Sequence, residues 1–343
     1  MSDGATSSAA ERIVLAHGGG GELTHRLLAE RILPRLSNEL LDPLTDAAVL
    51  APGEGRVCLT TDAYVVQPLE FPGGDIGRLA VCGTVNDLAM MGATPVALSL
   101  ALVIEEGLAL SRLDTIVASI AAAAAEAGVV VATGDTKVVE RSRGDGLTIT
   151  TAGVGRVPES VRLGLERVAA GDRLVINGPI AEHGLAVMSA REGLAFRTAL
   201  RSDVAPLGSL VAALLDSGAD VKFLRDPTRG GLAGVAADLA EGTGRGVELD
   251  EAAIPLSGAA RHASELLGLD PLTIANEGKL VAVVAAEDAE RAVAALHRHA
   301  LGAEASVIGR VGEPGMGIAE LVTRAGGRRI VQRPYGEELP RIC

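Results

Sequence analysis

Tryptophan is absent from the 343-residue chain, and Phe71, Phe196, Phe223, Tyr64 and Tyr335 are its only aromatic residues. We therefore expect little recognition by stacking on nucleobases. Basic residues are in the minority, 31 Lys and Arg against 44 Asp and Glu, and the net charge of −13 repels nucleic-acid backbones and anionic membrane surfaces. No apolar run reaches the roughly 18 residues that a spanning helix needs. The first residues, with Asp3, Ser7, Ser8 and Glu11, lack the basic start and apolar core of a secretory leader. We expect a soluble, cytoplasmic protein with no nucleic-acid and no membrane partner. Cysteine is scarce too: Cys58 and Cys82 lie in apolar contexts and read as small core residues, which suits a reducing compartment, and Cys343 is the last residue.

What is abundant is small and aliphatic. Apolar residues make up 48% of the chain, so Ala, Val, Leu and Ile must build the core. The length exceeds the roughly 250 to 300 residues at which single cores stop growing, and predicts two domains. Strand-like runs (58–61, 97–103, 129–133, 147–154) alternate with helical ones (21–35, 77–91, 110–127), an α/β layout. In the last of these helices Ser111 is the expected N-cap, Gly128 the stop, and Leu113, Ile116, Val117 and Ile120 the buried face. A Gly- and Pro-containing link, Gly155 to Pro158, precedes a second set of strands (174–177, 280–284, 306–311, 319–322) and helices (207–217, 226–241, 286–298). The expected organisation is a disordered 1–12, an N-terminal domain 13–157, a C-terminal domain 158–331 that repeats the same style and a mobile tail 332–343.

Four carboxylates stand at element ends beside glycine, threonine or a strand: Asp46, Asp62, Asp87 and Asp135. Each alone suits a turn or a cap. Together they suit Mg²⁺, which takes hard oxygen ligands and shares them between carboxylates, waters and phosphates. Gly18, Gly19, Gly20 and Gly21 follow His17 and precede a helix; they are either a flexible linker or a backbone cradle for an anion at a helix start. Lys137, two residues after Asp135, shares its face on an extended segment and fits either an ion pair or a phosphate contact. Asn86 precedes Asp87 on a helix opened by the cluster Pro72 to Gly77. Asp226-Pro227-Thr228-Arg229-Gly230-Gly231 sets an acid, a guanidinium and a glycine pair before another helix, and Asn276 and Glu277 sit in a turn before a strand. The histidines show no metal spacing; His25, His183, His262, His297 and His299 are expected to be structural or surface groups.

Pro334 and Pro340 bracket a stretch without periodicity that ends in the thiol of Cys343. If about twelve residues extend at roughly 3.3 Å each, that sulfur sweeps on the order of 40 Å, enough to visit two sites in turn.

The strings HGGGG, DAAVL, TTDAYVV, FPGGDIGRLAVCGTVNDLAMMGATP, TGDTKVV, RDPTRGGLA, ANEGK and the final PRIC occur in one order along nearly the whole chain. That order resembles the HypE carbamoyl dehydratases, maturation factors of nickel-iron hydrogenase. The first six strings also resemble the wider group of aminoimidazole ribonucleotide (AIR) synthetase, selenophosphate synthetase and thiamine-monophosphate kinase; PRIC narrows the resemblance. It implies a two-domain α/β (α+β) AIR-synthase-like (PurM-like) fold with an α+β C-terminal domain, and N-terminal domains that complete a shared barrel in a homodimer. It implies ATP and Mg²⁺, with Asp46, Asp62, Asp87 and Asp135 at the metal, and Gly18 to Gly21, Asp62, Asn86, Asp135, Arg229 and Asn276 at the nucleotide. It further implies ATP-dependent dehydration of an S-carbamoyl group on Cys343 to thiocyanate, with Lys137, Asp87 and Glu277 assisting. HypF would donate the carbamoyl group and a HypC–HypD complex would accept the cyanide. The rival expectations are a related ATP enzyme acting on a free small molecule, and a non-catalytic thiol scaffold.

Overall fold

The computed structural model describes residues 12–18, 22–42, 50, 53–193, 200–334 and 341–343. Residues 1–11 of the segment expected to be disordered lie outside it, whereas Arg12 pairs with Ala109 across a β-bridge. The single helix expected over 21–35 is broken into α1 (Glu22–Leu27), a widened π-helical stretch Leu28–Ile32, and α2 (Leu33–Leu36). Pro34 supplies a reason, because it lacks the N–H that would continue the regular ladder.

The body of the N-terminal half is a four-stranded sheet with two long helices, beside a small two-stranded sheet. In chain order come β1 (Arg56–Tyr64), the two-residue strands β2 (Glu70–Phe71) and β3 (Gly74–Asp75), α3 (Ile76–Met90), β4 (Thr94–Glu105), α4 (Leu110–Ala127), β5 (Val130–Val139) and β6 (Leu147–Val157). The sheet order is β1-β6-β4-β5, antiparallel except for the β4/β5 pair. Helix α4 buries Leu113, Ile116, Val117 and Ile120 as its periodicity requires, and Gly128 ends it with φ 67°, a left-handed turn that suits glycine. Its N-cap is Ala109, without a capping side chain; Ser111 already lies inside the helix.

Strand β6 is buried at every second residue from Leu147 onward, so one face of the sheet packs on α3 and the other does not. Cross-strand register carries that division through the sheet. Asp62 lies opposite Thr151, Thr151 opposite Leu100 and Leu100 opposite Gly134, all on the α3 face. Asp135 and Lys137 pair with Ala101 and Val103 one step on, and so point to the other face. That other face is apolar and open on β1, where Val57 is 64% and Leu59 71% exposed. Cys58, expected in the core, is only half-buried here, whereas Cys82 of α3 is fully buried. Among the described residues the sheet does not close on itself: β1 and β5 are its outer strands.

The C-terminal half comprises β7 (Arg173–Ile176), α5 (Glu182–Arg191), α6 (Gly208–Leu215), β8 (Val221–Arg225), α7 (Gly231–Thr243), β9 (Arg245–Asp250), α8 (Gly258–Leu267), β10 (Val281–Val284), α9 (Ala289–His297), β11 (Ser306–Pro314), β12 (Ala319–Val322) and β13 (Arg328–Val331). Its seven strands run β13-β12-β9-β11-β7-β10-β8, with only the β9/β12 pair parallel. Strand β10, Val-Ala-Val-Val, is buried at all four residues, as a strand covered on both faces must be. The two halves share a core: Ala89 and Met90 of α3 pack with Leu207, Leu210 and Leu214 around α6.

Candidate active site

The sequence places its acids at the seam between the halves. Strand β1 delivers Asp62 and Tyr64, and α3, capped by the Asp75 side chain accepting from the Arg78 N–H at 2.9 Å, delivers Gly83 and Asp87 one turn apart on a single face. Thr60 donates to Asp87 at 2.8 Å and ties strand to helix. Gly83 is required by close approach: a Cβ there would collide with the Tyr64 hydroxyl. Across the seam the turn before α7 delivers Asp226, Thr228 and Arg229. Gly231, at φ 58°, lets that turn tuck against the carbonyls of Leu272 and Ile274. The segment before β10 delivers Glu277, whose N–H donates to Asp203 at 3.1 Å and whose carbonyl accepts from Asn86 at 3.2 Å.

These residues line one cleft together with Cys343. Its free space is about 30 Å³, room for about two water molecules, because Cys343 itself occupies the seam. The preceding residue, Ile342, is 2% exposed in the N-terminal core. Of the tail expected to be mobile, residues 335–340 lie outside the described residues, while Arg341 to Cys343 are seated.

Four carboxylates facing one guanidinium set the electrostatics. Glu277, 3% exposed, has its pKa held well above the ordinary carboxyl range, first by burial and then by the charges of Asp226, Asp203, Asp62 and Asp87. Asp226 is pushed up to about 7 by burial and by Asp87. Asp87 is raised mainly by burial, against the lowering effect of the Thr60 hydroxyl. Behind them Asp203 goes the other way: burial would raise it, but Lys279 at 3.0 Å, His183 and the Glu277 N–H hold it below its usual value.

Other expected residues fall elsewhere. Asp46 and Gly19 to Gly21 lie outside the described residues, and Gly18 closes a 3-10 turn, Leu15–Gly18. Asn86 and Asn276, expected at the nucleotide, have their amides committed to backbone. Asn86 donates to Ala205 and Glu277 and accepts from Leu207; Asn276 donates to Pro227 and Ile274 and accepts from Ala181. Both are fully buried, Asn86 as a joint between the halves and Asn276 as one within the C-terminal half, with no open side-chain donor left for a ligand. Asp135 and Lys137 are about two-thirds exposed, 3.9 Å apart on β5, and do not line the cleft. They sit three strands from Asp62, about 14 Å at the usual spacing, and on the opposite face. One chain therefore does not gather the expected metal set, and among the described residues no three His, Cys, Asp or Glu side chains converge on a metal position. Sequence reasoning passed over Asp226 as a site group, although its motif was visible. His183, expected to be structural, is fully buried, and its ring reaches the carbonyl of Ile342.

Residues 44–157 match the AIR synthase related protein N-terminal domain and residues 169–321 its C-terminal domain. Two such domains meeting at an acidic seam define the class. The chain is 49% identical over 333 residues, 97% of its length and 95% of the relative's, to the carbamoyl dehydratase HypE of Cupriavidus necator. Its fold superposes with a TM-score of 0.92 at 42% identity, covering 96% of this chain and 99% of the other, on a HypE crystallised with ATP. On the HypE of a HypE–HypF complex the TM-score is 0.79 at 43% identity, with 92% and 100% covered. The chain belongs to the HypE family of AIR synthase related proteins.

Proposed function

We propose that this protein dehydrates an S-carbamoyl group on its own Cys343 to a thiocyanate at the expense of ATP, supplying cyanide to the iron of a nickel-iron hydrogenase. The observation that carries the reading is the placement of Cys343 in the cleft beside Glu277, Asp226 and Asp87. A thiol carrier must bring its cargo to the acids, and an enzyme for a free small molecule has no reason to fill its cleft with its own chain. The working location is the cytoplasm, with a HypF-type protein as carbamoyl donor and a HypC–HypD-type complex as cyanide acceptor. Among the described residues no helix is long and apolar enough to cross a membrane.

In S–C(=O)–NH₂ the carbonyl oxygen is a poor leaving group. Moving the γ-phosphoryl of ATP onto that oxygen lets it depart as phosphate, and loss of two N–H protons leaves S–C≡N. Glu277, on the cleft wall with Cys343, is a candidate acceptor of an N–H proton in its ionised form, and burial raises its affinity for that proton. Asp87 orients the group or takes the other proton, and these two roles are interchangeable. Arg229 at the cleft wall and the glycines around Gly18 to Gly21 suit phosphate oxygens. The donor set fits Mg²⁺: Asp62 and Asp87 are hard ligands in one cleft, and the repulsion that helps raise Asp87 is what a divalent cation relieves. Such an ion, when bound, supplies neutralisation of phosphate charge. On incubation with ATP and Mg²⁺, the carbamoylated protein should lose about 18 Da by intact-mass analysis, one water, as two-step removal of oxygen and protons requires. No mass loss in complete reaction mixtures would overturn the reading.

The placement of Asp62 and Asp135 on the two outer strands of an open sheet favours a homodimer. Two open four-stranded sheets that close into one barrel set β1 of one copy against β5 of the other, burying Val57 and Leu59 and laying the β5 segment of Asp135 and Lys137 beside the second copy's β1, which carries Asp62. Asp62→Asn and Asp135→Asn should each inactivate the homodimer. Co-produced, they should recover about a quarter of wild-type turnover, since half the dimers are mixed and each mixed dimer keeps one intact site out of two. Absence of recovery would mean that each site draws on a single chain.

A further inference from the structure

The last described residues are held by their main chain. The Arg341 carbonyl accepts from Arg191 Nη2 at 2.6 Å and from the Gln67 N–H at 3.1 Å, and the Ile342 carbonyl accepts from His183 Nε2 at 3.0 Å. The Ile342 side chain is 2% exposed within the N-terminal core, and the Arg341 guanidinium lies 3.3 Å from Asp145. Arg341 takes φ 55°, a left-handed conformation that a non-glycine residue keeps when its surroundings hold it there. His183 and Arg191 are both on α5, near its two ends, so one helix contacts two successive carbonyls.

We propose that His183, Arg191 and Gln67 form a latch that reads the backbone of residues 341–342 and so sets the depth at which the Cys343 thiol enters the cleft; they are positioning residues, and their value to turnover rests on Cys343 being the reacting thiol. The ring of His183 is built for this. A carbonyl can only accept, so Nε2 carries the proton, and the Nδ1 of the neutral ring then accepts from the Ser202 hydroxyl at 2.8 Å. Ser202 is itself fixed, because its N–H donates to the Pro72 carbonyl at 2.7 Å and its Oγ accepts from the Val204 N–H at 3.1 Å. Full burial lowers the His183 pKa and keeps the ring neutral, and the Phe71 ring stands edge-on at 5.4 Å. Because the donors meet carbonyls, the latch recognises chain position, while the apolar seat adds a preference for an aliphatic residue at 342.

The test reads Cys343 accessibility without any turnover. His183→Leu and Ile342→Ser, the second outside every helix and strand, are checked for an unchanged melting transition and alkylated with iodoacetamide, and the rate is taken from the C-terminal peptide by mass spectrometry. Loss of one buried contact should speed Cys343 alkylation by about five- to tenfold, the worth of a hydrogen bond to a buried carbonyl. His183→Gln, which can still donate to the carbonyl, should return toward the wild-type rate. ATP affinity by calorimetry should stay within about twofold, and dehydration of the carbamoylated variants should fall in the order in which alkylation rises, as the seated population shrinks. Unchanged alkylation in both variants would overturn the latch. Faster alkylation together with a wild-type protein that never dehydrates Cys343 would keep the latch and overturn the proposed function.

Discussion

Cys343→Ala is expected to fold, to dimerise and to bind ATP as the wild type does, while neither gaining a carbamoyl group nor yielding thiocyanate. The seat of the chain end explains the first half of that result. Ile342 supplies the buried anchor and Arg341 the carbonyl contacts, so removing a half-buried sulfur costs about 1 kcal/mol or less. The second half follows from chemistry, since a methyl group is no nucleophile. Cys58 is half-buried on β1 and Cys82 is fully buried, with its thiol pushed up to about 12 chiefly by burial, so neither substitutes for the lost thiol. Intact mass after incubation with the carbamoyl donor and ATP reads both steps. Carbamoylation without any ATP turnover in the wild type would identify a scaffold, and normal conversion in Cys343→Ala would remove the carrier role.

Glu277→Gln should slow dehydration by roughly 10²- to 10⁴-fold while leaving carbamoyl acceptance unchanged, because it keeps the shape and removes the base. Stability separates this chemical role from misfolding. A carboxyl whose folded pKa lies above its unfolded one binds its proton more tightly in the folded chain. Such a group costs nothing below the unfolded value, and stability then declines as pH rises from that value toward the folded one. Glutamine cannot ionise, so the variant should melt at least as high as the wild type at pH 8, with the difference shrinking toward pH 4. A variant that is slower but also less stable at pH 8 would point to a lost structural contact. Wild-type turnover would place the base elsewhere, with Asp226 the next group to replace.

Strong periodicity was readable and cross-chain geometry was not. Helix α4 showed its buried face and its glycine stop because both are local signals, yet its start was misread because Ala109 carries no capping group. Strands β8 and β9 and helices α5 and α8 were missed altogether. Val-Lys-Phe-Leu-Arg breaks its alternation at Leu224, Arg-Gly-Val-Glu-Leu-Asp alternates over only its last four residues, and α5, buried at its N-terminal end, shows no clear polar face. In the site, residue type announced the acids, and the structure gathers Asp62, Asp87, Arg229, Glu277 and Cys343 around one cleft. It also turns Asn86 and Asn276 into joints, a role no local pattern distinguishes from ligand binding. The partners of His183 and Arg191 are carbonyls 159 and 150 residues away, and a carbonyl has no letter in a sequence.

The position of Tyr64 makes the chain its own optical instrument. There is no tryptophan to drain tyrosine emission, and of the two tyrosines Tyr64 is 2% exposed at the wall of the cleft that Cys343 enters, with its hydroxyl 3.1 Å from Thr84. Withdrawal of the chain end admits solvent to that ring, and charge arriving in the cleft alters its field. Tyrosine fluorescence is therefore expected to follow occupancy of the seam in real time, without a label, in a chain whose one other tyrosine is Tyr335.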